Sequence, residues 1–283
     1  MSSRDFLAWR LEGDSLSGDR LSEVPERVVE EGPLSLRVNG KPFTVTLRTP
    51  GDDRALALGL LYSEGLLETP EDLLALYEES KGVDGSSFWE ASIKRRPALE
   101  AKLGNRSLAS TSSCGFCGKT EWVEGESAIC GQGPSSESFR VDSAFLQACF
   151  RAMQERQDLF GRTGGSHAAA VFSVGGTLLA FGEDAGRHNA VDKCVGFLWE
   201  KNRLTEGAAL CVSGRVSYEI ASKASRAGFR VLAAVSAPSS MAVEYCRENG
   251  ITLIGFCRGP RATVYAHPER IAAGKAEMDV EQA

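Results

Sequence analysis

The sequence predicts an α+β protein whose C-terminal half has α/β character. Three observations carry this. After residue 138, short apolar runs alternate with stretches of helical spacing, the pattern of a partly parallel sheet with helices packed on it. Before about residue 105, alternating apolar and polar runs meet at turn dipeptides, which marks a smaller α+β unit built on a hairpin. Between the two, Ser, Gly, Thr and Cys dominate and periodicity fades. The expected organisation is a flexible leader over 1–22, a small α+β domain over 23–105, a cysteine-bearing loop over 106–137, a larger domain over 138–275 and a tail over 276–283.

Within the first unit, regular structure is expected from near Pro25. Leu34 to Val38 and Phe43 to Leu47 alternate around Asn39-Gly40, a strong hairpin signal. Pro50-Gly51 ends the hairpin, and Asp52 is placed to cap a helix over Arg54 to Glu64 that Gly65 stops. Pro70-Glu71-Asp72 opens a short helix or leads into a strand, and Phe88 to Ile93 reads as a strand. In the second unit, Asp142 caps a helix whose Phe145, Leu146, Cys149, Phe150 and Met153 share one face. Ala168 to Val174 and Thr177 to Gly182 form a hairpin across Gly175-Gly176. A helix through Val191, Cys194, Val195 and Leu198 follows. Then come strand 208–212, helix 216–227, strand 230–235, helix 239–249 and strand 251–256.

The 283 residues carry a formal net charge of −6, so no general field favours nucleic acid or an anionic membrane. No apolar run is long enough to span a bilayer, and Met1 to Arg20 lacks the apolar centre of a signal peptide. The expected location is the cytoplasm, where eight cysteines do not form a disulfide framework. Cys149, Cys194, Cys211 and Cys246 sit in apolar segments and read as small core residues.

Two constellations carry chemistry. The first is Cys114-Gly115-Phe116-Cys117-Gly118-Lys119. Glycine after each cysteine leaves the sulfurs uncovered on a turning loop, and Lys119 favours a thiolate. On spacing alone, a reactive thiol pair and half of a zinc site both stay open. Cys130 and His167 would have to complete the zinc site. The second constellation is three polar clusters, each following a strand: Glu183 to His188, Ser213 to Arg215, and Cys257 to Arg261. In open α/β sheets ligands bind beyond the strands' carboxyl ends. Arg187, Arg215, Arg258 and Arg261 there suit phosphate or pyrophosphate, against the alternative that they are solvated or paired with Glu183, Asp184 and Glu219. His188 reads as a general acid/base or as a turn-orienting residue, His267 as a packing residue, and Lys193 as solvated on a helix face. Neither a P-loop nor a dinucleotide-binding glycine fingerprint is present.

These motifs resemble the FdhD/NarQ family of formate dehydrogenase accessory sulfurtransferases. The resemblance rests on the Cys114 to Gly118 segment, Gly165-Ser166-His167, Glu183 to Lys193, Ser213-Gly214-Arg215 and Phe256 to Arg261. It runs from about Val24 to Ile271. It implies a fold: a small α+β domain plus a three-layer domain with a mixed sheet, like cytidine deaminases but without their zinc signature. It implies an activity: sulfur accepted from a cysteine desulfurase as a persulfide and passed to the bis-molybdopterin guanine dinucleotide cofactor, molybdenum or tungsten, of formate dehydrogenase. Carried over by motif, Cys114 is the persulfide carrier and Cys117 an assisting thiol. Phe256, Cys257, Arg258, Gly259, Pro260 and Arg261 are the cofactor-binding segment. Position adds Arg187, His188, Ser213 and Arg215. The resemblance also implies a homodimer, with no metal of its own. The alternative readings are a cofactor-binding chaperone and a zinc-stabilised interaction module.

Overall fold

The structure is a computed structural model that describes residues 2–14, 18–94 and 139–272. Cys114, Cys117, Lys119, Cys130, the 106–137 segment and the 276–283 tail lie outside the described residues.

The first correction concerns the N-terminus. Ser3–Asp14 (β1) and Gly18–Val29 (β2) pair as an antiparallel ribbon in place of an irregular leader. The leader expectation came from the mixing of charged and apolar residues. In the ribbon those charges pair across strands and around its base: Arg27 with Asp5 at 2.9 Å, Arg10 with Glu26 and Arg4 with Glu30. No local window shows such partners.

The small unit is a four-stranded sheet of order β4-β3-β6-β5: Gly32–Val38 (β3), Lys41–Arg48 (β4), Leu73–Lys81 (β5) and Ser87–Ile93 (β6). β3 and β6 run parallel and the other pairs antiparallel. Asn39 and Gly40 both take positive φ, 49° and 77°, which a two-residue hairpin turn needs. Helix Asp53–Ser63 (α1) follows, but Asp52 does not cap it. Asp52 sits at φ 55° and its side chain bonds no helix amide. The anchor is Asp53, held by both guanidinium arms of the fully buried Arg48 at 2.8 and 2.7 Å.

The larger unit is a six-stranded mixed sheet of order β12-β11-β10-β9-β7-β8. Its strands are His167–Phe172 (β7), Leu178–Asp184 (β8), Ala209–Val212 (β9), Val231–Ala234 (β10), Thr252–Arg258 (β11) and Arg261–Ala266 (β12). β9, β10 and β11 are parallel and the remaining pairs antiparallel. Sequence periodicity missed β12, because its side chains are mostly exposed. The helices are Ser143–Gln154 (α2), Asp158–Thr163 (α3), Arg187–Glu200 (α4), Tyr218–Arg226 (α5) and Ser240–Glu248 (α6). Asp142, Ser217 and Ser239 cap α2, α5 and α6 through their side chains.

Alternation along β7 builds three layers. Ala168, Ala170 and Phe172 join Leu146, Cys149 and Met153 of α2 on one face. Ala169 and Val171 join α4, α5 and α6 on the other, in a core continuous with Leu34, Leu36, Leu56, Leu61 and Trp89 of the small unit. The units meet where α1 crosses α4 at two glycines. A Cβ on Gly59 would collide with the Asp192 carbonyl oxygen, and one on Gly196 with that of Ala55. Only glycine permits so close an approach. Among the described residues, no helix is long and apolar enough to cross a membrane.

Candidate functional site

A cavity of about 1000 Å³ opens at the carboxyl edge of β9, β10 and β11, under α2 and α3. Its walls are apolar where Leu146, Phe150, Met153 and Val235 contribute, and polar at the edge. Ser213 follows β9, and Cys257 and Arg258 end β11. Gly259, at φ 58°, turns the chain into β12, where Arg261 stands opposite Arg258. Arg151 of α2 also lines the cavity, and among the described residues no Asp or Glu does. In a chain of net charge −6, three arginines and a histidine with no carboxylate among the described lining residues favour an anionic ligand.

Side-chain hydrogen bonds shape its floor. Glu183 accepts from the Leu159 and Phe160 amides at 3.2 and 2.7 Å, which fixes the start of α3, and from the Ser166 hydroxyl at 2.7 Å. His167, at the start of β7, is among the residues that line the cavity, with its ring beside Gly214. Ser213 Oγ accepts from the Ala168 amide at 2.9 Å, so its own proton stays available for a ligand. Arg258 Nε donates to the Val235 carbonyl at 3.1 Å, which steadies the β11–β12 hairpin. Burial pushes the Cys257 thiol up to about 11, so it stands in the wall as a neutral thiol. Phe256, beside it, holds φ 53° with 41 % of its surface exposed. A bulky side chain in left-handed backbone stores strain, a feature concentrated at ligand sites.

The FdhD/NarQ family model matches residues 29–272, most of the chain. The chain belongs to the FdhD/NarQ family. It is similar to the protein named sulfur carrier protein FdhD of Mycobacterium tuberculosis, 42% identical over 264 residues that cover 90% of this chain and 95% of the relative. The protein of that name in Thermoplasma acidophilum is 39% identical over 261 residues, 88% of each chain. A crystal structure from Desulfotalea psychrophila, described as a formate dehydrogenase accessory protein, superposes with TM-score 0.71 at 20% identity. It covers 96% of this chain and 100% of that one, which shows the shared α+β fold.

The predicted binding residues do not all reach one surface. Cys257, Arg258, Gly259, Pro260, Arg261 and Ser213 line the cavity; Phe256, Arg187, His188 and Arg215 do not. Arg215 is exposed. Arg187 opens α4, and its stem and the His167 ring both lie beside Gly214. Nor do the nearby carboxylates pair with these arginines. Glu183 is spent on α3 and Ser166. Asp184 binds Lys193 at 2.8 Å, and Glu219 faces His188 and Lys223 at 3.3 and 3.5 Å.

Lys193 is the clearest reversal: it is 1% exposed, not solvated. Its ammonium donates to the Thr49 and Glu183 carbonyls at 3.2 and 3.0 Å besides pairing with Asp184. Asp184 also accepts from the Thr49 and Gly186 amides and from Asn189, which donates in turn to the Leu47 carbonyl. Much of the Glu183-to-Lys193 motif is thus a buried fastening between β4 and the β8–α4 turn. Behind it, His188 Nε2 lies 3.0 Å from Ser217 Oγ. Burial, with Arg187 and Lys223 alongside, drops His188 to about 3. It is a neutral, positioned imidazole. Burial opposes the charge of Lys223, but Asp192 and Glu219 outweigh it, so Lys223 titrates above the usual lysine range. Among the described residues, no group of three or more His, Cys, Asp or Glu side chains is arranged to hold a metal ion. Sequence reasoning missed Arg151, whose only signal was a cation on the polar side of α2.

Proposed function

We propose that this protein is a cytoplasmic sulfurtransferase required for formate dehydrogenase activity. It takes sulfur from a cysteine desulfurase and delivers it to the bis-molybdopterin guanine dinucleotide cofactor, which is its substrate. The three-layer unit is read as a deaminase-like scaffold used for sulfur delivery, in a symmetric homodimer. The observation that carries the proposal is the cavity of about 1000 Å³ lined by Arg151, Arg258 and Arg261 with no carboxylate among the described residues, which suits a nucleotide arm bearing pyrophosphate. Phe256, strained and exposed at the end of β11, is the stacking surface for guanine.

The sulfur chemistry is assigned to Cys114 and Cys117. The Cys114 thiolate attacks the terminal sulfur of the donor persulfide. The donor's S–S bond breaks, its thiolate leaves, and Cys114 carries the sulfur with no net redox change. Attack by the Cys117 thiolate on the inner sulfur of that persulfide forms a Cys114–Cys117 disulfide and releases hydrosulfide. The two thiols supply the electron pair that brings sulfur to the sulfide level.

The test is mass spectrometry without reductant, after incubation with a cysteine desulfurase and cysteine, paired with guanosine diphosphate binding. Addition of one sulfur atom, lost on reduction and absent in Cys114→Ala, is expected. Nucleotide binding without any added sulfur would refute the relay and leave a cofactor-binding chaperone.

A further inference from the structure

The N-terminal ribbon leaves one edge and one face without a partner among the described residues. At its base, the Glu30 amide donates to the Ser2 carbonyl at 2.8 Å. In the β1–β2 register, even-numbered residues of both strands therefore turn their backbone N–H and C=O groups toward each other, and odd-numbered ones turn theirs outward. Pro25 is odd-numbered, so its missing N–H falls on the outer edge of β2 and blunts that edge. β1 has neither proline nor lysine, and its pairing with β2 runs without a bulge. Among the described residues its outer edge pairs with no strand. Asp5, Leu7, Trp9 and Leu11 thus offer backbone donors and acceptors there. Leu7, Trp9 and Leu11 share one ribbon face with Leu21 and Pro25, and all four apart from the proline are exposed over more than half their surface. A two-stranded ribbon is marginal in water, and an exposed apolar edge strand is a template for another strand.

We infer that β1 pairs edge to edge, antiparallel, with β1 of a second copy of this chain, about a two-fold axis at Ala8. This rests on the homodimer proposed above and names its contact surface. The two ribbons then form one continuous sheet of order β2-β1-β1-β2, with Leu7 and Trp9 of both copies on the same face.

The sequence of β1 is complementary to itself in this register. Directly opposed residues share a face of an antiparallel sheet, and such pairs decide its stability. An axis at Ala8 sets Leu7 of one copy against Trp9 of the other, Phe6 against Arg10 and Arg4 against Glu12, and symmetry makes each pair twice. These are an apolar pair, a cation on a ring and an opposite-charge pair. Glu12 makes no ion pair among the described residues, while Arg4 already holds Glu30 of its own chain, so Arg4 stands between two carboxylates. Moving the axis to Leu7 sets Arg4 against Arg10. Moving it to Trp9 sets Glu12 against the Phe6 ring and leaves Arg10 against Ala8. An axis between two residues opposes outward backbone groups to inward ones and makes no ladder. At Ala8 the outward groups of Leu7 meet those of Trp9.

The experiment uses the full chain. Sedimentation velocity over a concentration series should show a dimer. Oxidation with diamide should cross-link Ala8→Cys to itself, because opposed residues of a non-hydrogen-bonded pair place their Cα atoms about 4.5 Å apart, within disulfide reach. Peptide mapping should find the two copies joined at position 8, with the wild type treated alike as background for its eight native cysteines. Phe6→Cys and Arg10→Cys should cross-link at those positions when mixed and not when alone. Leu7→Pro removes an outward N–H, as Pro25 does opposite it on β2, and costs two hydrogen bonds per dimer. It should weaken the dimer about a hundredfold with the circular dichroism of the chain retained. If Leu7→Pro fails to fold, the three cysteine variants decide alone. A dimer that persists undiminished in Leu7→Pro, or in which Ala8→Cys gives no mapped cross-link, overturns the inference and leaves the homodimer reading to another surface. A chain that stays monomeric throughout, with no cross-link, overturns both.

Discussion

Replacing Lys193 with methionine keeps most of the stem and deletes the charge. In the folded protein the ammonium serves three acceptors: Asp184 at 2.8 Å and the Thr49 and Glu183 carbonyls at 3.2 and 3.0 Å. Breaking a buried pair by removing one partner costs about 3–5 kcal/mol, because the other charge stays buried. Asp184 retains the Thr49 and Gly186 amides and Asn189 as donors at 3.1, 2.8 and 3.0 Å, which pulls the cost down. The two stranded carbonyls add about 1 kcal/mol or more between them, which pushes it back up. The expected loss is about 4 kcal/mol, read as a fall in the urea midpoint at unchanged slope. Adding Asp184→Asn removes the orphaned charge, so the double variant should recover about 2 kcal/mol of that loss. A Lys193→Met loss below about 1 kcal/mol would refute the fastening of β4 to the β8–α4 turn. So would a double variant no better than the single.

Three further outcomes follow from other residues. Native alkylation at neutral pH should modify at most Cys114, Cys117 and Cys130. The other five of the eight cysteines are buried, and Cys246 and Cys257 are pushed up to about 12 and 11 by burial; peptide mapping that finds Cys149, Cys194 or Cys211 labelled in folded protein would contradict the core described here. His188 is depressed to about 3 against an unfolded value of 6.5, so the unfolded chain binds the extra proton. Its contribution to stability is intact above pH 6.5 and falls by about 2 kcal/mol by pH 5; chemical unfolding of His188→Gln should show a correspondingly shallower acid slope, and an unchanged slope would remove His188 as the cause. Phe256→Gly should relieve left-handed strain and stabilise the ligand-free protein by about 1 kcal/mol. The same change should weaken guanosine diphosphate by about tenfold through lost stacking, and fluorescence titration that finds undiminished affinity would exclude Phe256 as the guanine platform.

The sequence showed the βαβαβ run because each of its elements is decided locally. β9, β10 and β11 are short apolar runs, and Ser217 and Ser239 announce the helices after the first two. The β3–β4 hairpin was legible for the same reason, since Asn39-Gly40 needs no distant partner. What stayed hidden depends on groups far apart in the chain. The ribbon is held by charges that meet across strands, such as Asp5 with Arg27. Lys193 looks like any lysine on a helix until Thr49, 144 residues away, offers its carbonyl. The candidate site divides along the same line. Cys257 to Arg261 could be placed at a strand end from pattern alone, because their position follows from β11. That Arg187 leaves the rim and lies with His167 beside Gly214 could not, because these residues meet only after β7, β9 and α4 have packed. A motif that mixes a fastening (Asp184, Asn189, Lys193) with an unpaired cation (Arg187) carries two physical roles in eleven residues. Only burial and partner geometry separate them: the groups with every hydrogen bond filled hold the fold, and the group left unfilled is the one to test for a ligand.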